Sequence, residues 1–277
     1  MKKIFVLLAL CTTIGISNLY AQKKLLVIDY FESEERDVHH IEEIRNQVVI
    51  GIQATNRLNL IDAYSDLSLQ VDDQSDTRLK LIQNLGASYI LIGNIDNVNL
   101  ERKQNEGGSV HFNAEVKVTL KFIDATTGEI FASKSLTTVG GGSLFGAGST
   151  EKKAISGAIS AISGKLKRVI DEYFPLRGTI VEANEIKKNK LITCYVDLGS
   201  DHGVAKGQQA KVMQAKQIAG RNTLIEIGRL RCDEVIAEDL SICRIVKGQE
   251  ELLTALNNGV ELVVETITQR ILGLDLE

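Results

Sequence analysis

The sequence contains no tryptophan and one proline, and aromatic residues make up 5% of its 277 positions. An outer-membrane β-barrel needs aromatic girdles at both membrane interfaces and many alternating strands, so this class of protein is disfavoured. Acidic and basic residues are spread without a large block of one sign, and the formal net charge is −4. Nucleic acid is therefore disfavoured as a partner, because neutralising phosphates requires a concentrated basic face.

Cysteine is also scarce. One of the four cysteines, Cys11, lies near the N-terminus, and the other three are Cys194, Cys232 and Cys243. An odd number excludes a complete disulfide framework. Cys232 and Cys243 flank a predicted hairpin, and a disulfide bond between them in an oxidising periplasm is one interpretation. The favoured interpretation is small buried thiols, and the lack of a Cys-x-x-Cys motif or a neighbouring histidine disfavours a zinc site.

The first 21 residues predict a signal peptide. Two lysines precede the apolar run Ile4–Leu10, which is too short to span a bilayer, and the segment ends at Ala21. We therefore expect an exported, periplasmic protein that starts at Gln22. Lipid attachment at Cys11 is disfavoured because the large Leu10 precedes it, and peripheral association with the outer membrane is left open.

Residues 22–174 predict an α/β domain. The short apolar runs Leu25–Ile28, Leu58–Ile61 and Tyr89–Gly93 are typical of buried strands, and periodic segments at 38–54 and 73–85 predict helices between them. This alternation predicts parallel strands joined by right-handed crossovers.

The pattern changes to an antiparallel one after Gly93. His111–Phe122 alternates, with Phe112, Ala114, Val116, Val118 and Leu120 on one face, and Ile130–Thr138 returns after a turn that contains Gly128. A glycine-rich loop is predicted at Gly140–Gly148. A long helix follows, capped by Ser149 or Thr150 and carrying an apolar stripe from Ile155 to Ile170.

Residues 178–277 predict a second domain, with the boundary at Pro175. Six short apolar segments separated by glycine-containing turns indicate a small, closed or nearly closed all-β barrel. The predicted fold class is thus an α/β domain with a mixed sheet flanked by helices, followed by a small β-barrel.

Three motifs of the first domain and one of the second carry a family resemblance. Leu26–Phe31, Ala87–Gly93 and Phe122–Ile130 resemble the domain shared by the curli secretion lipoprotein CsgG and the penicillin-binding-protein activator LpoB, also likened to the N-terminal domain of TolB. Residues 178–266, with the motif Asp197–Gly207, resemble the C-terminal barrel of the flagellar H-ring protein FlgT. The resemblance implies a periplasmic domain that docks on other envelope proteins and often oligomerises.

Candidate chemical motifs favour structural interpretations. Ser149–Lys152 spells Ser-x-x-Lys, but no Lys-Thr-Gly accompanies it, and a capped helix start explains the match. His39 and Glu43 lie one helical turn apart without a third ligand, which favours a solvated helix face. His111 and His202 have no evident catalytic partner. We therefore expect no catalytic, cofactor or metal residues.

The glycine-rich loop carries the one predicted contact site. Leu144 and Phe145 are apolar residues on this loop, and we expect them to contact a partner or a sister subunit. The leading hypothesis is a non-enzymatic envelope protein that binds other envelope proteins, or itself, in assembly or regulation of a larger complex such as secretion, surface-structure or cell-wall machinery. The alternatives are a periplasmic enzyme with an interdomain site and a subunit of a curli-type secretion pore.

Overall fold

The computed structural model of the protein describes residues 23–33, 40–63, 75–142 and 148–268. Within these residues, Lys24–Phe174 forms one compact unit, and a second unit begins at Pro175. The predicted signal peptide lies outside the described residues. None of the helices in the described ranges is both long and apolar enough to cross a membrane.

The first unit is a five-stranded mixed sheet flanked by helices, as the sequence predicted. Its strand order is β2-β1-β3-β4-β5; β1 is parallel to both β2 and β3, while β3, β4 and β5 are antiparallel. The parallel arrangement expected from the strand–helix alternation is therefore confirmed. The elements are β1 (Leu25–Ser33), α1 (Ile41–Gln53), β2 (Asn59–Asp62), α2 (Ser75–Asn84), β3 (Tyr89–Gln104), β4 (Val110–Asp124), β5 (Ile130–Gly141) and α3 (Glu151–Tyr173).

Helices α1 and α3 cover one face of this sheet. The predicted alternation on β4 is confirmed, because Ala114, Val116, Val118 and Leu120 are buried in the core beneath these helices. The predicted stripe of α3 packs against them, with Ile162 and Leu166 fully buried. Burying each such side chain contributes about 1.5–3 kcal/mol, so this layer is the main source of stability in the unit.

The opposite face is covered only at one end. Leu79 and Ile82 of α2 pack against Val27 of β1 and Ile90 of β3, forming a second, smaller apolar cluster. Beyond this cluster, the described residues place no helix over β3, β4 and β5. Most side chains on that part of the sheet are polar, with Val139 as an exposed apolar exception, which is typical of a half-solvated antiparallel sheet.

Two predicted boundaries are wrong because pairing, rather than local hydrophobicity, determines them. Strand β3 does not end at Gly93 but continues to Gln104, since its polar second half pairs residue by residue with β4. Strand β5 continues past Thr138 to Gly141, so Gly140 and Gly141 belong to the strand and not to a loop. Gly128 adopts the expected positive φ, +74°, in the turn between β4 and β5.

A buried arginine joins distant parts of this unit. Arg57 follows α1, and its Nη1 donates a hydrogen bond to the carbonyl oxygen of Phe174 at 3.1 Å. Its Nη2 lies 3.0 Å from Oδ1 of Asp171 on α3. Burial lowers the pKa of Arg57 from its ordinary value, and the charge of Asp171 opposes this change. The C-terminal end of α3 is thereby attached to the turn after α1.

The second unit contains the predicted closed six-stranded barrel, with strand order β10-β7-β6-β11-β8-β9. Its core contains the three thiols, which are buried as the favoured interpretation predicted. The elements are β6 (Arg177–Lys187), β7 (Lys190–Val196), β8 (Gln209–Ile218), β9 (Arg221–Val235), β10 (Ser241–Lys247), α4 (Gln249–Asn257) and β11 (Leu262–Ile267), with a 3-10 turn at Ser200–His202.

Helix α4 was not predicted. It has nine residues, and it contributes Leu252 and Leu253 to the barrel core. Gly228 permits this packing, because a Cβ at that position would lie 2.6 Å from Cδ1 of Leu252.

A charged row crosses three neighbouring barrel strands. Glu265 on β11 lies opposite Arg177 on β6 and Lys211 on β8. Its carboxylate accepts from Arg177 Nε at 2.7 Å, and Lys211 Nζ lies 2.6 Å away. Burial raises the pKa of Glu265, but the hydrogen bonds from Lys211 and Arg177 outweigh it and hold this pKa below its ordinary value.

Replacing Glu265 by glutamine should destabilise the barrel at neutral pH by roughly 1.5–3 kcal/mol, because hydrogen bonds to a charged group are lost. The pKa of Glu265 is lower in the folded state than its ordinary value. The stabilisation that Glu265 gives the barrel is therefore present above the ordinary carboxyl pKa and is lost as the pH falls through the folded-state pKa. Unfolding midpoints measured as a function of pH should therefore converge for the two proteins in acid. Glu261→Gln, at an exposed position, is the matched control. A difference in unfolding midpoint between wild type and E265Q that does not change with pH would contradict the lowered pKa of Glu265.

Candidate functional site

An open groove of about 430 Å³ lies on the uncovered part of the first sheet, towards the ends of β3, β4 and β5. The register places Asn99, Glu115 and Val139 in one row across these strands. Glu101 and Asn113 form the next row with Gly141. The full lining is Asn99, Glu101, Asn113, Ala114, Glu115, Val139, Gly140 and Gly141. We call this recess the β3–β5 groove.

The β3–β5 groove combines polar and apolar groups. Two carboxylates and two side-chain amides surround Val139, which is 70% exposed. The carboxylate of Glu101 lies 3.1 Å from Lys103 Nζ. Amides donate and accept hydrogen bonds, carboxylates accept them, and the valine offers an apolar contact. The arrangement can therefore recognise a peptide segment through both its backbone and its side chains.

Glycines bring α3 into direct contact with the strand that borders the groove. A Cβ at Gly140 would lie 2.1 Å from the backbone nitrogen of Ala158 on α3. Gly141 has a φ of +91°, and a Cβ there would lie 2.1 Å from the carbonyl oxygen of Phe112. Only glycine fits this close helix–strand approach without displacing the backbone. These two glycines are thus structural.

The predicted contact residues lie beside this groove in the chain. Gly142 donates a backbone hydrogen bond to Phe112 at 2.9 Å, and the backbone nitrogen of Phe112 donates to Gly148 at 2.8 Å. Gly148 also donates to the carbonyl oxygen of Gly142 at 2.9 Å, so both ends of the intervening segment are fixed at β4. Leu144 and Phe145 belong to that segment and lie outside the described residues. Their role as a partner contact stays a prediction.

A bulge extends the polar surface away from the groove. The pairing of β3 with β4 shifts between Ile95 and Asn97, which leaves Asp96 as the extra residue. Asp96 accepts hydrogen bonds from Asn94 Nδ2 and Thr119 Oγ1, both at 2.7 Å. This half-buried network keeps the sheet face hydrophilic.

The outer edge of β5 is occupied by side chains of α3. Lys165 Nζ donates to the carbonyl oxygen of Thr137, and the Tyr173 hydroxyl donates to the carbonyl oxygen of Ser133 at 3.4 Å. Edge strands with free backbone groups attract further strands, and such contacts oppose this. The sheet face, rather than the edge of β5, is thus the available surface.

A second cluster of charges lies where the parallel pairing of β1 with β2 ends, at Ile28 and Asp62. Both carboxylate oxygens of the buried Asp29 accept from Arg78 of α2. Arg45 of α1 donates to Asp62 Oδ2 at 2.8 Å and contacts the carbonyl oxygen of Asp29. Because these groups bind one another, they brace helices from both faces against the strand ends.

Three residues of the candidate chemical motifs have structural roles. Thr150, one of the two predicted caps, accepts from the backbone nitrogen of Lys153 at 3.2 Å, while Ser149 Oγ contacts Lys153 Nζ at 3.1 Å. His202 Nδ1 accepts from the backbone nitrogen of Gly199 at 3.1 Å in the barrel turn. His111 Nδ1 is buried and has no hydrogen-bond partner among the described residues.

The predicted His–Glu pair is described only in part. His39 lies outside the described residues, and His40 Nδ1 lies 3.5 Å from Glu43. Within the described ranges, no three histidine, cysteine or acidic side chains are close enough to hold a metal ion.

Sequence reasoning did not single out the groove residues or the strand-end charges. It did place Asn113 and Glu115 on the polar face of β4, which is one wall of the groove. Val139 carried no signal, because it is an isolated valine beyond the predicted end of β5. Asp29 stood out only as the residue that follows a buried apolar run.

No protein-family model matches this chain, and no curated protein matches it. The solved structures it resembles include the PelC dodecamer from Paraburkholderia phytofirmans, with 16% identity over 52% of this chain and 88% of that chain and a TM-score of 0.30. Lipoprotein GNA1162 from Neisseria meningitidis shows 15% identity over 52% and 98% of the two chains, with a TM-score of 0.35. The LpoB C-terminal domain from Escherichia coli shows 15% identity over 45% and 87%, with a TM-score of 0.31.

Similarity at this level assigns neither a family nor a function. The LpoB domain, to which the sequence motifs were likened, is among these similar structures. The resemblance to CsgG and to FlgT stays a prediction.

Replacing Gly140 by alanine should destabilise the first unit by about 1–3 kcal/mol, because the added methyl group overlaps the backbone of α3. The matched control is Gly164→Ala on α3, where a Cβ meets no atom within 4 Å. That variant should be stabilised by up to about 1 kcal/mol through helix propensity. Chemical denaturation measures both, and equal stability of G140A and wild type would contradict the close approach.

Replacing Asp29 by asparagine should lower the free energy of unfolding by up to about 3 kcal/mol. This is the low end of the range for removing one partner of a buried ion pair, because Arg78 keeps some solvent contact. The exposed Glu32→Gln serves as the control and should change stability by less than about 0.5 kcal/mol. Thermal unfolding compares the two variants. A loss no larger for D29N than for E32Q would show that the cluster does not brace the helices.

Proposed function

We propose that this chain is a non-enzymatic protein of the cell envelope that binds other envelope proteins in the assembly or regulation of a larger complex. The signal-peptide pattern of residues 1–21 supports the compartment. The β3–β5 groove supports the binding role and is the observation that carries the proposal.

The composition of the groove favours a protein partner. Protein interfaces combine a small apolar centre with polar groups that form hydrogen bonds around it. The exposed side chain of Val139 supplies the apolar centre, and Asn99 and Asn113 supply the amides. The carboxylates of Glu101 and Glu115 favour a partner segment that carries a basic residue.

The positions of the chemical motif residues support a role without catalysis. Ser149 and Lys153 contact each other at the start of a helix that Thr150 caps. His202 completes a barrel turn. These local structural roles of Ser149, Thr150 and His202 support a non-enzymatic interpretation of their motifs.

Photo-crosslinking in intact cells tests the proposal. A photoreactive amino acid at Val139 should give a discrete adduct with another envelope protein or a second copy of the chain. The matched position is Val246 on the barrel, which is similarly exposed at 64%, and it should not give the same adduct. Identical adducts from both positions, or none from Val139, would contradict a specific role for the groove.

Substitutions in the groove and the adjacent segment test the same surface. Val139→Ser removes the apolar contact without adding a charge beside Glu115. It should weaken recovery of the partner and leave the melting temperature nearly unchanged, because the side chain is already exposed. The double variant Leu144→Ser with Phe145→Ser should have the same effect. If the double variant instead unfolds the protein, these two residues belong to the core and the interaction is confined to the groove.

A further inference from the structure

The three buried cysteines form a row across three adjacent barrel strands. Cys243 on β10 lies directly opposite Cys232 on β9 and, on its other side, opposite Cys194 on β7. The three are 0–3% exposed. Two alternative cross-strand pairs therefore share Cys243.

The backbone hydrogen bonds distinguish these two pairs. The backbone nitrogen of Cys232 donates to Gln208 at 2.8 Å, and its carbonyl oxygen accepts from Gly207 at 2.7 Å. Both groups point towards the chain that enters β8 and away from β10. Cys232 and Cys243 are therefore a non-hydrogen-bonded pair, in which the Cα atoms lie about 4.5 Å apart and the side chains approach closely. A disulfide requires Cβ atoms only about 3.5–4.5 Å apart, which favours a pair whose side chains approach closely.

The other pair has a less favourable geometry. Because Cys243 does not exchange backbone hydrogen bonds with Cys232, its own backbone groups point towards β7. Cys194 and Cys243 are thus a hydrogen-bonded pair, with Cα atoms about 5.5 Å apart and side chains farther from each other. The fold favours a bond from Cys243 to Cys232 over one to Cys194.

The surroundings of the thiols agree with this choice. The hydrogen bond from the Cys243 thiol lowers the pKa of Cys232 from its ordinary value, whereas burial raises the pKa of Cys194 to about 12. The Cys232–Cys243 pair therefore forms a thiolate more readily than Cys194 does. A small cavity of about 20 Å³ borders Cys232 and Cys243 but not Cys194, and it gives the two sulfur atoms room to rearrange.

We propose that Cys232 and Cys243 are an oxidation site that forms a cross-strand disulfide inside the barrel, while Cys194 stays a free thiol. The oxidant is a disulfide compound, either a protein or a small molecule. The Cys232 thiolate attacks one sulfur of the oxidant and releases the first thiol. Cys243 then loses its proton and displaces the second, so that the two cysteines together give up two protons and two electrons. This inference rests on the barrel alone and not on the proposed function.

Peptide mapping of the full chain tests the proposal directly. Trypsin cuts after Arg231 and Arg244, so one peptide, residues 232–244, contains both cysteines. Cys194 lies on a separate tryptic peptide. After incubation with oxidised glutathione, denaturation and alkylation, peptide 232–244 should carry no alkyl group and should be two hydrogens lighter. The Cys194 peptide should carry one alkyl group.

Refolding from denaturant in a glutathione redox buffer covers the case in which the closed barrel excludes the oxidant. The same peptide masses are expected. Two alkyl groups on peptide 232–244 after both treatments, or a link between that peptide and Cys194, would overturn the proposal.

Variants separate the two pairs. Cys194→Ala should keep the disulfide, and Cys232→Ser should abolish it and leave Cys243 alkylated. The oxidised wild-type chain should also unfold at a temperature roughly 5 °C or more above the reduced chain, a difference that C232S should lack. A disulfide that persists in C232S would assign the bond to Cys194 and refute the pairing.

Discussion

The contact between α3 and the sheet is the interaction on which the rest of the first unit depends. The apolar stripe of α3 covers β4 and β5, and Gly140 lets the helix backbone approach the strand backbone directly. The same helix places Lys165 and Tyr173 over carbonyl oxygens at the edge of β5. One helix therefore fills the core, fixes the strand that borders the groove and protects the edge of the sheet.

The two faces of that sheet differ because only one is fully covered by the described elements. The covered face carries the main apolar core, while α2 reaches only the first part of β3 on the other face. The remaining surface carries a hydrogen-bonded polar network around Asp96 and, farther along, the β3–β5 groove. The surface with potential for binding is thus a consequence of a helix that is too short to cover the whole sheet.

Much of the fold could be predicted because it depends on local periodicity. The alternation on β4 and the stripe on α3 each reveal the buried side directly in the sequence. The second half of β3 was missed because its residues are polar and become a strand only by pairing with β4. Helix α4 was missed because it is short, and its main apolar signal is the pair Leu252 and Leu253. The groove and the row of three cysteines across the barrel both depend on strand register. Register is determined by residues that are distant in sequence.

The hydrogen bond from Arg57 to Phe174 joins residues 117 positions apart. Contacts of such long sequence separation slow folding, because the chain must close a large loop before they form. Helix α1 packs against α3 at the end of the unit as well as against the sheet, so the layer around Ile44 and Val48 is complete only once α3 has been made. The order of the elements along the chain therefore postpones completion of the core until the whole unit has been made.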